Sequence, residues 1–136
     1  FPQDISISWH TSLGYSGKEG AYSLLRNLVA STKKGGTIVL DIRHLSHYQQ
    51  EPTHKEEHIV FKGQNALLVK EGVWEGQTLK QKWWIKQGED VLWHQEETSC
   101  YHLSEEEIIL FAQHNSLDLF VDQSIPSRML VLLNKK

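Results

Sequence analysis

The residues His54-Lys55-Glu56-Glu57-His58 fit the His-x-x-Glu-His order, in which two imidazoles one helical turn apart hold a zinc ion beside a carboxylate. That chemistry needs a helix. Here the segment follows Pro52 and runs into a strand-like stretch, so it reads as a solvated polar loop, and no metal is expected. Eight histidines in 136 residues also make a chance match easy. Gly14, Gly17 and Gly20 fall between a strand and a helix, where a phosphate cradle would lie. Their spacing is neither Gly-x-Gly-x-x-Gly nor that of a P-loop, so they are read as turn and helix-start glycines. No Gly-x-Ser-x-Gly elbow occurs, and no nucleophile, base and orienting group form a set, which leaves a hydrolase without support. The single cysteine, Cys100, excludes an intrachain disulfide and reads as a packed thiol. Trp74, Trp83, Trp84 and Trp93 gather in one stretch with Lys80, Lys82 and Lys86, a combination able to stack and neutralise a single-stranded nucleic acid. Glu89, Glu96 and Glu97 beside them favour core packing and cross-strand ion pairs instead.

These groups need elements to position them. Asp4 to Trp9 alternates polar with apolar side chains and predicts a strand with one face buried. Ser16-Gly17-Lys18-Glu19 has capping-box spacing and predicts the start of a helix. Ala21, Leu25, Leu28 and Val29 supply its apolar stripe, Lys33 and Lys34 favour its negative end, and Gly35 offers a left-handed cap. Thr37 to Ile42 is a continuous apolar run, the pattern of a strand buried on both faces of a parallel sheet. Arg43 to Glu57 reads as a loop or irregular crossover. The stretch 58–102 then reads as an antiparallel β-meander, with turns at Gly63-Gln64-Asn65, Glu75-Gly76-Gln77 and Gly88-Glu89-Asp90. In its third strand, Leu79, Trp83 and Ile85 point one way and Lys80, Lys82 and Lys86 the other, so one face is expected to be covered and one wet. Leu103-Ser104-Glu105-Glu106-Glu107-Ile108 is a second capping box with an acidic first turn, and Leu103 is placed to staple against Ile108. Leu117 to Val121 and Ser127 to Leu133 are two further strands, close enough to pair as an antiparallel hairpin.

At this length one domain, 1–136, is expected. A net charge of −3 gives no field that recommends nucleic acid or an anionic membrane as partner. No apolar run approaches the roughly 20 residues of a bilayer span, so a soluble protein is expected, and the single cysteine favours a cytoplasmic one. The chain opens on Phe1, and its one methionine is Met129, which suggests a processed, trimmed or incomplete product.

The order of these elements resembles the C-terminal half of a class I S-adenosylmethionine-dependent methyltransferase. The resemblance rests on a strand from Ile5 to Trp9, the turn Thr11-Ser12-Leu13-Gly14-Tyr15, a capped helix, and Lys33-Lys34-Gly35-Gly36 before Thr37-Ile38-Val39-Leu40-Asp41. Leu103 to Glu107 is similar to that family's Leu-Ser-x-x-Glu helix start, and the meander is similar to the insertion carried by several small-molecule members. Lys34 stands where proline is usual. The resemblance implies an α/β fold, a partial Rossmann-like sheet with an antiparallel C-terminal hairpin and an inserted meander. It also implies a missing half: the Gly-rich turn and the acidic strand end that hold S-adenosylmethionine in that family are not in this sequence.

The resemblance places the acceptor cleft at the carboxyl ends of the two parallel strands. It nominates Trp9, Thr11, Tyr15, Asp41 and Arg43 as substrate-binding residues, and His44 or His10 as the base that deprotonates an amine or hydroxyl. The partners it implies are a small-molecule methyl acceptor and, through the open edge of the first strand, a second copy or an N-terminal half. The reading is thus the substrate-side part of a methyltransferase, inactive alone. The alternative is a non-catalytic binding or oligomerisation module derived from the same fold.

Overall fold

In the computed structural model, which describes residues 3–9 and 12–136, β1 (Gln3–Ser8) and β2 (Thr32–Arg43) lie side by side and parallel, with Ile7 opposite Val39. A 3-10 turn (Ser12–Ser16) and α1 (Gly17–Ser31) connect them. A short helix, α2 (Leu45–Gln49), then leads to β3 (His54–Phe61), β4 (Gln64–Glu75), β5 (Thr78–Gln87) and β6 (Asp90–Tyr101), an antiparallel sheet in chain order. The chain returns through α3 (Glu105–His114) to β7 (Leu117–Asp122) and β8 (Arg128–Lys135). β8 inserts antiparallel between β2 and β7, so the first sheet is mixed and runs β1-β2-β8-β7. The expected pair of neighbouring parallel strands, the meander and the terminal hairpin are all present.

The core lies on one face of the mixed sheet. Ile38, Leu40, Ile42, Met129, Val131 and Leu133 pack there against Leu25 of α1 and Ile108, Phe111 and Ala112 of α3. Leu103 and Ile108, the expected staple pair, both belong to this cluster. β1 buries one face as expected, but the buried side chains are serines: Ser6 and Ser8 face in, while Ile5 and Ile7 are each 59% exposed. Ser6 Oγ lies 2.6 Å from the Thr32 hydroxyl, so the buried face is polar but satisfied.

Helix α1 departs from the sequence reading at both ends. The Ser16 side chain makes no cap, because the 3-10 turn runs directly into the helix and leaves Ser16 at φ −99, ψ 21, away from the extended geometry a cap requires. At the other end the helix stops at Ser31, and Lys33 and Lys34 lie in β2. The cation at its carboxyl end is Lys135, which donates to the Val29 and Thr32 carbonyls at 2.9 and 2.8 Å. Arg43 to Glu57 is also more ordered than expected: it holds α2, and His54 to His58 lie in β3 instead of a loop. A strand spreads residues four apart over about 13 Å, which separates the two histidines of the zinc-like pattern. His54 instead bonds Glu71 and Glu56 at 3.0 and 3.1 Å.

Glu107 joins the two sheets. In the capping box of α3 its carboxylate accepts from the Ser104 N–H at 3.0 Å while Ser104 Oγ accepts from the Glu107 N–H at 3.2 Å. The same carboxylate accepts from Tyr22 of α1 at 2.9 Å, from Tyr101 of β6 at 2.6 Å, and from Gln77 in the β4–β5 turn. Burial opposes its ionisation. The hydrogen bonds from Ser104, Tyr101, Gln77 and Tyr22 outweigh that cost and hold the carboxyl down at about 2. Close by, Gly14 lies against β6, where an added Cβ would stand 1.6 Å from the Tyr101 carbonyl oxygen.

Two measurements check this junction. Because the Glu107 pKa falls below its ordinary 4.5 on folding, its stabilisation is fully present above that value and is lost as pH drops towards 2. Glu107→Gln should lower stability at pH 7 by about 2 kcal/mol, by leaving donors unmatched, and should flatten the acid limb of a urea-denaturation pH profile. An unchanged limb refutes the assignment. Gly14→Ala has no room for its methyl and should cost about 3 kcal/mol or more in the same assay; a wild-type midpoint would show the contact to be soft.

Candidate functional site

A cavity of about 340 Å³ opens where the carboxyl end of β2 meets the inner face of the antiparallel sheet. Several regions of the chain build it. The 3-10 turn brings Tyr15, the end of β2 brings Arg43, and α2 with the segment after it brings Tyr48, Glu51 and Thr53. The meander contributes Lys70, Trp74, Leu79, Gln81 and Trp83, which share a face because Lys70 pairs with Trp83, Gly72 with Gln81 and Trp74 with Leu79. Cys100 and His102, at the end of β6, and Arg128, at the start of β8, complete the wall.

The wall is aromatic on one side and cationic on the other. Tyr48, Trp74 and His102 meet edge to face, with centroids 5.2 to 5.5 Å apart. Arg43 rests 4.3 Å above the Tyr48 ring and Lys70 4.6 Å above Trp83. His102 is buried, and its Nδ1 has no hydrogen-bond partner among the described residues. Its backbone is fixed from both sides: its N–H donates to the Gln77 carbonyl and its own carbonyl accepts from the Gln77 amide, each at 2.9 Å. Burial, and then the Arg43 charge, lower the His102 pKa to about 4, so the ring is neutral at physiological pH. Burial pushes the Cys100 thiol up to about 11, which keeps it a thiol.

The residues nominated from the sequence fall in different places. Tyr15 and Arg43 stand on the cavity wall. Asp41 lies beneath it, buried, and receives Arg128 through two 2.9 Å bonds, Nε to Oδ1 and Nη2 to Oδ2. Trp9 follows β1 and is half exposed, off the wall. His44 is also off the wall: it is the N-cap of α2, with its ring nitrogen accepting from the His47 N–H. His10 and Thr11 lie outside the described residues. Tyr48, His102 and Arg128 were not singled out from the sequence. Tyr48 sits in a polar stretch with no periodicity, and Arg128 meets Asp41 across 87 residues, so neither carries a local signal. His102 directly precedes the second capping box, which fixes where the wall ends but not that a histidine faces it.

No protein-family model and no curated protein sequence matches the chain. Solved structures do match. A SAM-bound amino pentose methyltransferase from Micromonospora echinaspora superposes with a TM-score of 0.77 at 12% identity, covering 99% of this chain and 59% of that one. A sugar N-methyltransferase from Streptoalloteichus gives 0.77 at 11% identity, over 99% and 57%. A S-adenosylmethionine-dependent methyltransferase from Clostridium acetobutylicum gives 0.70 at 16% identity, over 98% and 58%.

The chain has the fold of the matching part of these SAM-dependent methyltransferases.

It spans less than two thirds of the length of those methyltransferases. Asp41, the carboxylate at the end of β2, is taken by Arg128, and the space beside Gly14 is filled by the Tyr101 carbonyl. Among the described residues, no group of three or more His, Cys, Asp or Glu is arranged to hold a metal, and no helix is long and apolar enough to cross a membrane.

Removing the guanidinium from Asp41 tests how far this pair supports the wall. Arg128→Met should destabilise the chain by about 3 kcal/mol or more in chemical denaturation, since breaking a largely buried pair strands its partner. A loss below about 1 kcal/mol would place the pair among surface bridges of little worth.

Proposed function

We propose that this chain is the acceptor-binding side of a SAM-dependent methyltransferase for a small molecule, the C-terminal half of a class I fold working with an N-terminal half that holds the cofactor. The observation that carries this reading is the cavity at the end of β2, walled by the antiparallel sheet. Its 340 Å³ lies within the range of small-molecule sites. The amino pentose and sugar substrates named for two of the similar structures support an acceptor of that size. In methyl transfer the protein contributes mainly position, and here Tyr48, Trp74 and His102 give the cavity a packed, preorganised wall. Of the nominated residues, Tyr15 and Arg43 are the acceptor contacts this reading retains on the wall.

A second reading is a non-catalytic binding or oligomerisation module. It draws on β1, which pairs with β2 on one side and with no strand on the other among the described residues, and which leaves Ile5 and Ile7 exposed. The same edge serves the first reading as the seam to the cofactor half.

Calorimetric titration of S-adenosylmethionine separates the two. The chain alone should give no binding heat, and co-expression with the sequence encoded in frame before Phe1 should restore both cofactor binding and methyl transfer to an amine or hydroxyl acceptor. A reconstituted protein that binds the cofactor yet transfers no methyl to any acceptor would favour the module. Micromolar binding by this chain alone would overturn the division of labour proposed.

A further inference from the structure

Four cations stand on the cavity wall, and three of them face a carboxylate. Lys55 Nζ is 3.7 Å from Glu51, Lys70 Nζ is 3.4 Å from Glu57, and Arg128 holds Asp41 at 2.9 Å. Arg43 faces none. Among the described residues its side chain makes no ion pair or hydrogen bond, and its only close partner is the face of the Tyr48 ring, 4.3 Å away. The ring holds the guanidinium beside it while leaving its N–H donors unused among the described residues, an arrangement suited to receiving two oxygens of one anion at once.

A second, independent observation points to a ligand beside it. His102 is only 6% exposed, and its Nδ1 is buried without a partner among the described residues, beside Tyr48 and Trp74. Buried polar atoms are almost always paired, so an orphan on a cavity wall marks a position that a bound molecule completes. The one carboxylate on the wall, Glu51, is engaged by Lys55 and does not offset Arg43.

We propose that the cavity receives its small molecule by an oxyanion group, a carboxylate or a phosphate, with Arg43 as the receiving guanidinium and His102 as the neutral hydrogen-bonding group beside it. This rests on the cavity being the acceptor site and adds the acceptor's class: an anionic compound in preference to its neutral counterpart. Such a ligand also relieves the cavity's charge imbalance. Its negative charge offsets the influence of Arg43 on His102, and its oxygens, or a hydroxyl or amine next to them, meet the unmatched ring nitrogen.

The test uses the full chain and the indole N–H signals of Trp74 and Trp83, both on the wall. Benzoate, phenyl phosphate and the neutral isostere benzamide are titrated by NMR. One or both anions should shift these two signals with at least tenfold tighter binding than benzamide, and the tighter of the two identifies the carboxylate or the phosphate as the preferred group. Arg43→Gln should erase that tenfold preference. If benzamide shifts the same signals as strongly as both anions, the cavity stands as an acceptor site and the anion assignment falls. If no probe reaches Trp74 or Trp83 at tens of millimolar, the assignment also falls. Should Arg43→Gln fail to fold, the comparison of anions with benzamide on the unaltered chain decides alone.

Discussion

The structure turns on one ionised carboxylate. Glu107 caps α3, as its place three residues after Ser104 dictates, and also accepts from α1, β6 and the β4–β5 turn. Taking a carboxylate out of water is costly, and that cost is recovered only when its oxygens are matched by good donors. Here a backbone amide, two phenols and a side-chain amide supply them. Burial first, and then the bond to Glu107, raise the pKa of both phenols, that of Tyr22 to about 12, so both remain donors at neutral pH. A capping residue has become the knot between two sheets that share no strand.

The cavity follows from that knot. With the Tyr101 hydroxyl on Glu107 and the Tyr101 carbonyl against Gly14, the end of β6 is held against the 3-10 turn. His102, one residue on, is then carried to the cavity with its backbone bonded to Gln77, while Gln77 itself reaches Glu107. On the opposite wall, the Asp41–Arg128 pair ties the end of β2 to the start of β8. The cavity is thus framed largely by hydrogen-bonded elements, with the segment between α2 and β3 completing its wall. Its polar groups are placed before any ligand arrives, the condition under which they act with least reorganisation.

Among the described residues, helices cover the mixed sheet on one face only. Ile7, Val39, Leu132 and Phe120 are aligned across all four strands by the register, on the face away from α1 and α3, and Ile7 and Phe120 at its two ends are each 59% exposed. Strands of α/β sheets are ordinarily apolar on both faces because helices cover both. β2 and β8 keep that pattern, with Val39 and Leu132 apolar on the face turned away from α1 and α3. The open edge of β1 belongs to the same uncovered region.

Local rules made much of this legible. The double glycine before a β-rich run, the three meander turns and the Ser104–Glu107 box each act within a few residues, so strand, turn and helix start followed from composition and spacing. The same rules placed the start of α1 at Gly17 but misread its capping, and carried its end past Ser31. Ser16 is inside a 3-10 turn whose geometry local spacing does not reveal, and the cation at the helix end is Lys135, more than a hundred residues from the carbonyls it meets. The order of elements also carried the resemblance to a methyltransferase half, since topology follows from that order. What the sequence left undetermined is the content of the wall. Arg43 and Tyr15 were reachable through the rule about strand ends, but the apposition of His102 with Tyr48 and Trp74, and of Arg128 with Asp41, depends on the angle at which the two sheets meet. That angle is set by side chains distant along the chain converging on Glu107, a many-body packing outcome that no periodicity of 2 or 3.6 encodes.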